Sequence, residues 1–212
     1  MSRYDWLVGQ AQRARAAIIA GELRGKKLIE LIESLPVYER NDWVDSVLGI
    51  GEPPPDRNLP RGGVPYLPAG VDEIIAAVRE APVRADDMFV DLGSGLGRVA
   101  ILAHLLSGAR SGGIDIQGHL VEAARETASA LQLPGVSFVH ADASETEMDG
   151  TVYFLYAPFN GDLLARVLAR LEATARKHPI AVCTVGMALD QSPWMTPRDT
   201  STVALAIHDL RQ

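Results

Sequence analysis

The sequence predicts an α/β fold, a mostly parallel sheet with helices on both faces, preceded by a separate group of helices. Three observations carry this prediction. From Gly70 onward, short apolar runs alternate with longer segments whose apolar residues recur at helical spacing. A glycine-rich turn joins the first such run to a nearly all-apolar helix. A proline-rich break, Gly51–Gly63, separates this regular pattern from the residues before it.

Taken in order, residues from about Tyr4 to Leu35 read as two helices, the second striped by Leu28, Leu31, Ile32 and Leu35. Pro36 ends that pattern, because a proline disfavours helical geometry in the residue before it. A third helix is expected after Asn41 or Asp42, either of which can cap it, with Trp43, Val44 and Val47 buried. The domain boundaries that follow are a helical extension over 1–50, a linker over 51–63 and the α/β domain over 64–212. In that domain Val71, Ile74, Ile75 and Val78 mark a helix, and Met88–Val90 a strand running into the glycines. Val99–Leu106 is the apolar helix, Ile114 begins or continues a second strand, and Leu120–Leu131 forms the next helix. Val136–Val139 and Val152–Tyr156 are strands, Leu163–Leu171 a helix and Ile180–Val185 a strand. A last strand over Thr202–Ile207 pairs with a short one around Trp194 and Met195.

At 212 residues there is room for one full α/β domain and a modest extension. Hydrophobic residues at 47% and charged residues at 22% describe an ordinary globular chain. Cys183 is the single cysteine, so no internal disulfide framework exists, and its place within Ile180–Val185 points to a buried inert thiol. No apolar stretch approaches the roughly 20 residues of a membrane span. The start, Met1 to Trp6, lacks the charged-then-apolar order of a secretory signal, so a soluble cytoplasmic protein with no membrane contact is expected. The net charge of −7 argues against a nucleic-acid partner, which calls for a basic surplus. Arg13, Arg15, Arg24, Lys26 and Lys27 are the best basic patch, and a solvated helix face accounts for them.

The residues Asp91-Leu92-Gly93-Ser94-Gly95-Leu96-Gly97 hold the chemistry. Between a strand and a helix start, glycines allow a sharp turn and close approach of a ligand, and the helix offers unpaired N–H groups. Dinucleotides and S-adenosylmethionine both use this arrangement. The dinucleotide fingerprint is G-x-G-x-x-G, whereas Arg98 stands in its last position here and the glycines follow G-x-G-x-G. Two more acids end successive predicted strands: Asp115 in Gly113–Ile116 and Asp142 in His140–Ala143. That edge of an open parallel sheet is where ligands bind. Either acid alone also reads as a helix cap.

Val90–Arg98 resembles the first motif of class I S-adenosylmethionine-dependent methyltransferases, and the similarity continues over roughly two-thirds of the chain. The resemblance implies a Rossmann-like three-layer sandwich with an antiparallel C-terminal strand. It also implies S-adenosylmethionine as cofactor, held by Asp91, Gly93, Ser94, Gly95 and Gly97. Asp115, with Ile116 beside it, is carried over to the ribose hydroxyls, which a carboxylate can accept in pairs. Asp142 with the backbone of Ala143 is carried over to the adenine. More narrowly, Phe89–Gly95 preceded by Tyr66-Leu67-Pro68 and an amphipathic helix is similar to the non-SET type of histone-lysine methyltransferase and its bacterial relatives. There the segment before the first strand folds over the cofactor, which places Tyr66 near the methionine end; the alternative is that Tyr66 packs the linker onto the sheet.

The acceptor side of such enzymes follows the fourth strand, here Tyr153–Asn160. Many amine methyltransferases have Asn or Asp followed by Pro-Pro and an aromatic at this place. Ala157 departs from that pattern, leaving Tyr156 or Asn160 to supply the polar contact and Phe159 an apolar wall or ordinary core packing. His140 is a candidate general base, with a structural or adenine-side residue as the alternative. His104 reads as a satisfied core histidine, His119 as surface, and Asp162 as the cap of the helix at Leu163. No pairing of His, Asp or Glu reads as a metal site. The implied acceptor is a protein or peptide side chain or a small metabolite. The competing readings are a non-enzymatic S-adenosylmethionine-binding module and, against the glycine spacing, a nicotinamide oxidoreductase.

Overall fold

In the structure, a computed structural model, residues 3–147, 149–189 and 192–210 are described. Met1 and Ser2, the first residues of the expected extension, lie outside them. The chain begins with α1 (Arg3–Ile19), α2 (Gly25–Glu33) and α3 (Val37–Leu48). The α/β part runs α4 (Val71–Glu80), β1 (Met88–Leu92), α5 (Arg98–Ser107), β2 (Arg110–Asp115), α6 (Gly118–Ala130) and β3 (Val136–His140). It continues with β4 (Val152–Tyr156), α7 (Gly161–Ala175), β5 (Ile180–Val185), β6 (Met195–Arg198) and β7 (Leu205–Leu210). Seven strands form one sheet in the order β3-β2-β1-β4-β5-β7-β6. The first five in that order are parallel, and β7 runs antiparallel to both β5 and β6.

The side chains of β1 alternate between two cores, as strand geometry requires. Phe89 joins one buried cluster with α4, α5 and α6, while Val90 and Leu92 join the other with Val167 and Leu171 of α7. The apolar helix α5 is buried at eight positions because it is covered twice. It lies on β1 and β2 from one side and meets α2 and α4 on the other. A helix apolar all round belongs in such a place. Ile18, Leu28, Ile32, Trp43 and Val47 fall in the same cluster as α5, so the N-terminal helices share the core of the α/β part.

Three boundaries differ from expectation. Helix α3 starts at Val37 with Pro36 as its N-cap, since the fixed φ of proline suits helix entry as well as helix exit. Asn41 therefore lies inside α3, and its Oδ1 accepts the Val71 N–H at 2.9 Å, capping α4 from a distance. Strand β2 begins at Arg110, four residues before the first apolar side chain that marks it. Strand β7 is shifted to Leu205–Leu210, because Thr200 Oγ1 contacts the Thr202 and Leu205 carbonyls and holds that stretch in a turn.

The expected basic patch is dispersed. Arg15 Nη1 donates to the Val47 and Leu48 carbonyls at 2.9 and 2.6 Å, closing the end of α3, and Arg24 reaches the Ile18 carbonyl. Among the described residues no helix is long and apolar enough to cross a membrane.

Candidate functional site

The glycine loop leaves β1 at the carboxyl edge of the sheet and enters α5. Gly95 has φ +49°, and a Cβ there would overlap the Tyr66 ring, so the aromatic side chain lies directly on the loop. Gly97 has φ +82°, and a Cβ would come within 2.5 Å of Phe138 Cζ. The loop amides are already engaged. Gly93 and Ser94 N–H both donate to the Ile114 carbonyl at 2.9 and 3.0 Å, and Gly97 N–H donates to the Ser94 carbonyl at 2.8 Å. Gly95 N–H donates to Asp115 Oδ2 at 2.8 Å. A pyrophosphate needs converging unpaired N–H groups, and these four are not available. The loop therefore turns the chain without forming a phosphate cradle, which counts against the nicotinamide reading. Ser94 Oγ faces Gly113, is buried, and has no hydrogen-bond partner.

Asp115 ends β2 with both oxygens in use once: Oδ2 by Gly95 N–H and Oδ1 by Gln117 N–H, each at 2.8 Å. An ionised carboxylate accepts about four bonds, so each oxygen retains capacity for one more. That spare pair on one rigid group fits two vicinal ribose hydroxyls. Burial raises the Asp115 carboxyl above its ordinary value, against the pull of those two N–H groups. Asp142, beyond β3, accepts Ser144 N–H through Oδ1 at 2.7 Å, leaving Oδ2 for a ligand amine. Both acids thus stabilise local turns without capping a helix, since Gln117 is the N-cap of α6 and β4 is the next element after Asp142, and both line one cavity with Ile116 and Ala143.

Asp91 is fully buried in β1 and does not line the cavity. Burial, reinforced by nearby Asp115, pushes its carboxyl well above the ordinary range. Behind the loop, Arg98 is 5% exposed. Its Nε donates to Asp45 Oδ1 at 2.8 Å, its Nη2 to Asp45 Oδ2, and its Nη1 to the Ala69 carbonyl at 2.8 Å. This fork ties the first turn of α5 to α3. Burial raises the Asp45 carboxyl even though the guanidinium opposes it. Tyr66, half-buried beside these groups, has its hydroxyl pushed up to about 12 by desolvation.

The stretch 51–67 has no helix or regular strand, yet it is fastened to the site as a strap. Arg57 N–H donates to Gln117 Oε1 at 2.7 Å, and Gln117 Nε2 donates to Asp56 Oδ1 at 2.7 Å. At its far end Val64 N–H donates to the Pro158 carbonyl at 3.1 Å and Asn160 N–H to the Gly62 carbonyl at 2.9 Å, with Gly63 and Phe159 forming an antiparallel bridge. Ala157 sits at φ +44°, a left-handed conformation that is uncommon for a residue with a Cβ and recurs at functional sites.

Strap and sheet edge enclose a cavity of about 240 Å³. Its walls are sorted along the sheet. Below β2 and β3 lie Asp115, Gln117 and Asp142; beyond β4 lie Tyr156, Pro158, Phe159 and Leu163. The strap adds Leu59, Val64, Tyr66 and Leu67, with Leu67 64% exposed at the rim. Asn160 is exposed at the N-cap of α7 and is not part of the lining; Asp162, expected as that cap, lies in the first turn instead. His140 ends β3 and its Nε2 contacts the Ile116 carbonyl at 3.0 Å. Strand order puts three inter-strand spacings, about 14 Å, between β3 and β4. His140 accordingly stands at the adenine-side edge and not beside the loop after β4. His104 is satisfied by the Ala109 carbonyl, and His119 is half-buried with Nε2 unpartnered. Gln117, Asp56, Asp45 and the rim of the strap were not singled out by the sequence; Arg98 was visible only as a departure from the dinucleotide pattern.

Strand order and glycine loop are those of a Rossmann-like fold, and the similarities that follow support an S-adenosylmethionine-dependent methyltransferase. Residues 69–140, from the entry of α4 to the end of β3, match the family model described as histone methylation protein DOT1. That match stops short of β4 and of the acceptor side. An RNA methyltransferase from Salinibacter ruber, solved in complex with S-adenosyl-L-homocysteine, is similar at 26% identity and a TM-score of 0.56, covering 68% of this chain and 92% of its own. TrmN from Thermus thermophilus shares the fold at 21% identity and a TM-score of 0.52, over 66% of this chain and 48% of its own. A SAM-dependent methyltransferase from Aquifex aeolicus shares it at 14% identity and a TM-score of 0.52, over 65% and 89%. No curated protein matches the chain.

Proposed function

We propose that the chain methylates an N or O nucleophile that enters the cavity end-on, carried by a protein or peptide side chain or by a small metabolite. One observation supports this best: the walls are divided between an acidic half under β2 and β3 and an apolar half beyond β4. When bound, S-adenosylmethionine supplies an electrophilic methyl group on a sulfonium. Asp115 would hold its ribose, Asp142 and Ala143 its adenine, and Tyr66 the end that lies over Gly95.

The protein's remaining tasks are alignment and exclusion of water. Phe159, Leu163 and the strap residues Leu59 and Val64 give the acceptor half a dry wall. Tyr156 offers the side-chain hydroxyl on that half. At about 240 Å³ the cavity lies just below the usual range of ligand sites, roughly 300–1,000 Å³. A cofactor would take up most of that space, so an acceptor would insert only a slender reacting group and rest its body on the exposed rim at Val64 and Leu67. The Salinibacter protein is an RNA methyltransferase; the charge of −7 and the dispersed cations here favour a different acceptor.

A second reading, a binding module without turnover, draws on Ala157, which brings no amide to the acceptor loop. Incubation with methyl-labelled S-adenosylmethionine and fractionated peptides, metabolites and RNA separates the cases. Label in peptide or metabolite fractions supports the proposal; label in RNA alone overturns its acceptor class. Thermal shifts with S-adenosylmethionine, S-adenosylhomocysteine and NAD test the donor, and stabilisation by NAD alone would sink it.

A further inference from the structure

We propose that Gln117 is a positioning residue that locks the strap to the nucleoside half of the site, so that the acceptor-side wall is set through the same residue that fixes Asp115. The inference rests on the methyltransferase reading of the cavity and extends it to a residue with no assigned role.

Gln117 is 3% exposed, and every polar group it offers has a partner. Its backbone N–H donates to Asp115 Oδ1 at 2.8 Å. Its Oε1 accepts Arg57 N–H at 2.7 Å, and its Nε2 donates to Asp56 Oδ1 at 2.7 Å. Asp56 Oδ1 also accepts Tyr66 N–H at 3.0 Å, so the strap closes on itself at this point before Tyr66 lies down on Gly95. One buried residue therefore joins three parts of the chain: through its backbone N–H the ribose-facing acid, and through its side-chain amide the strap and, by way of Asp56, the tyrosine over the glycine loop. From this anchor the strap crosses to its second fastening on Pro158 and Asn160, carrying Leu59, Pro60 and Val64 along the cavity.

The geometry also explains the residue type. A carboxylate at 117 keeps an acceptor for Arg57 N–H but sets two like charges face to face, and a shorter amide does not span both partners. Gln117 is the buried member of the pair and Asp56 the exposed one, so the cost of a lost partner falls on the group at 117.

The test uses Gln117→Glu and the reciprocal double variant Gln117→Glu with Asp56→Asn, which restores a donor opposite a carboxylate and keeps the wild-type charge. Hydrogen exchange across residues 52–67 in ligand-free protein reads the strap, and calorimetry with S-adenosylhomocysteine reads the cofactor seat. Gln117→Glu is expected to raise exchange in the strap at least tenfold and weaken S-adenosylhomocysteine at least threefold, with far-UV circular dichroism unchanged. The double variant is expected to recover part of both, since the new amide at position 56 restores the pairing with residue 117 but replaces the oxygen that also accepts Tyr66 N–H. Unchanged strap exchange in Gln117→Glu overturns the proposal, as does loss of strap protection at full affinity, or a double variant no better than the single. Wild-type protein that fails to bind S-adenosylhomocysteine would refute the methyltransferase reading, while strap exchange would still decide the lock.

Discussion

Replacing Asp115 by asparagine probes the ribose seat while keeping the side chain's shape. In the native protein each carboxylate oxygen accepts one backbone N–H and retains one free acceptor position. Asparagine keeps one oxygen and turns an NH₂ group toward either Gly95 N–H or Gln117 N–H, donor against donor. One hydroxyl partner is lost outright and the other meets a neutral acceptor in place of a charged one. A hydrogen bond to a charged group is worth about 1.5–3 kcal/mol, so the dissociation constant for S-adenosylhomocysteine should rise about 10- to 150-fold. The ligand-free fold should shift little. Burial makes the ionised carboxyl unfavourable, and its removal offsets the new donor–donor contact. Asp115→Ala should also weaken binding at least tenfold, but it strands two backbone donors and so confounds fold with affinity. Titration calorimetry, with circular dichroism as the control, measures the effect. An affinity for Asp115→Asn within twofold of wild type would refute the ribose assignment.

Asp91 should make the ligand-free protein less stable as pH rises. Its folded carboxyl is held well above the ordinary 3.8 by burial and by Asp115, so the folded state binds a proton that the unfolded chain releases. Stability from this group is complete below 3.8 and is lost as pH climbs through the raised folded value, by up to ~1.4 kcal/mol per unit. In urea midpoints, Asp91→Asn should flatten the slope; parallel curves for the two proteins would contradict the assignment. Arg98→Ala leaves Asp45 and the Ala69 carbonyl without their partner and should cost about 3 kcal/mol, the low end for a broken buried pair, since Asp45 is partly exposed. A loss under 1 kcal/mol in urea unfolding would show that the fork does not hold α3 to α5. Ser94→Ala removes a buried hydroxyl without a partner, so cofactor affinity should stay within twofold and stability should hold or rise by about 1 kcal/mol. A tenfold weaker cofactor would place that hydroxyl at the ligand. Cys183, fully buried with its thiol pushed up to about 12, should react with a thiol reagent only after unfolding; rapid native labelling would show otherwise.

The elements that were legible in the sequence are those whose burial is written in apolar side chains. Strands β4 and β5 fall on the expected residues because Val152–Tyr156 and Ile180–Val185 are buried almost throughout. Two-thirds of β2 was hidden, since Arg110-Ser111-Gly112-Gly113 carries no apolar signal. Its pairing with β1 and β3 supplies the strand, and Gly113 is small because the Ser94 side chain lies against it. Asp115 could be placed because a strand end fixes where its last side chain goes, and Asp142 because it follows β3 by two residues. Ser94 and Asn160 could not be oriented, because loop direction depends on partners far along the chain; His140 was legible as a strand end, but its distance from β4 is set by strand order. The strap was hidden most thoroughly: prolines and glycines that read as a connector are fastened at both ends by bonds to residues more than fifty positions away.

The sorting of the cavity along the sheet has an evolutionary side. Chain direction across the sheet reverses between β1 and β4, and that reversal falls under Gly93, where the acidic half gives way to the apolar half. The segments shaping each half are thus different stretches of sequence, joined chiefly by the rigid backbone of β1. Mutation can redraw the apolar half through the turns after β4 and β5 while the acidic half, and the strap anchored to it at Gln117, stay intact. Such a layout lets one scaffold be retuned to new recipients without re-inventing how it grips the group it gives away.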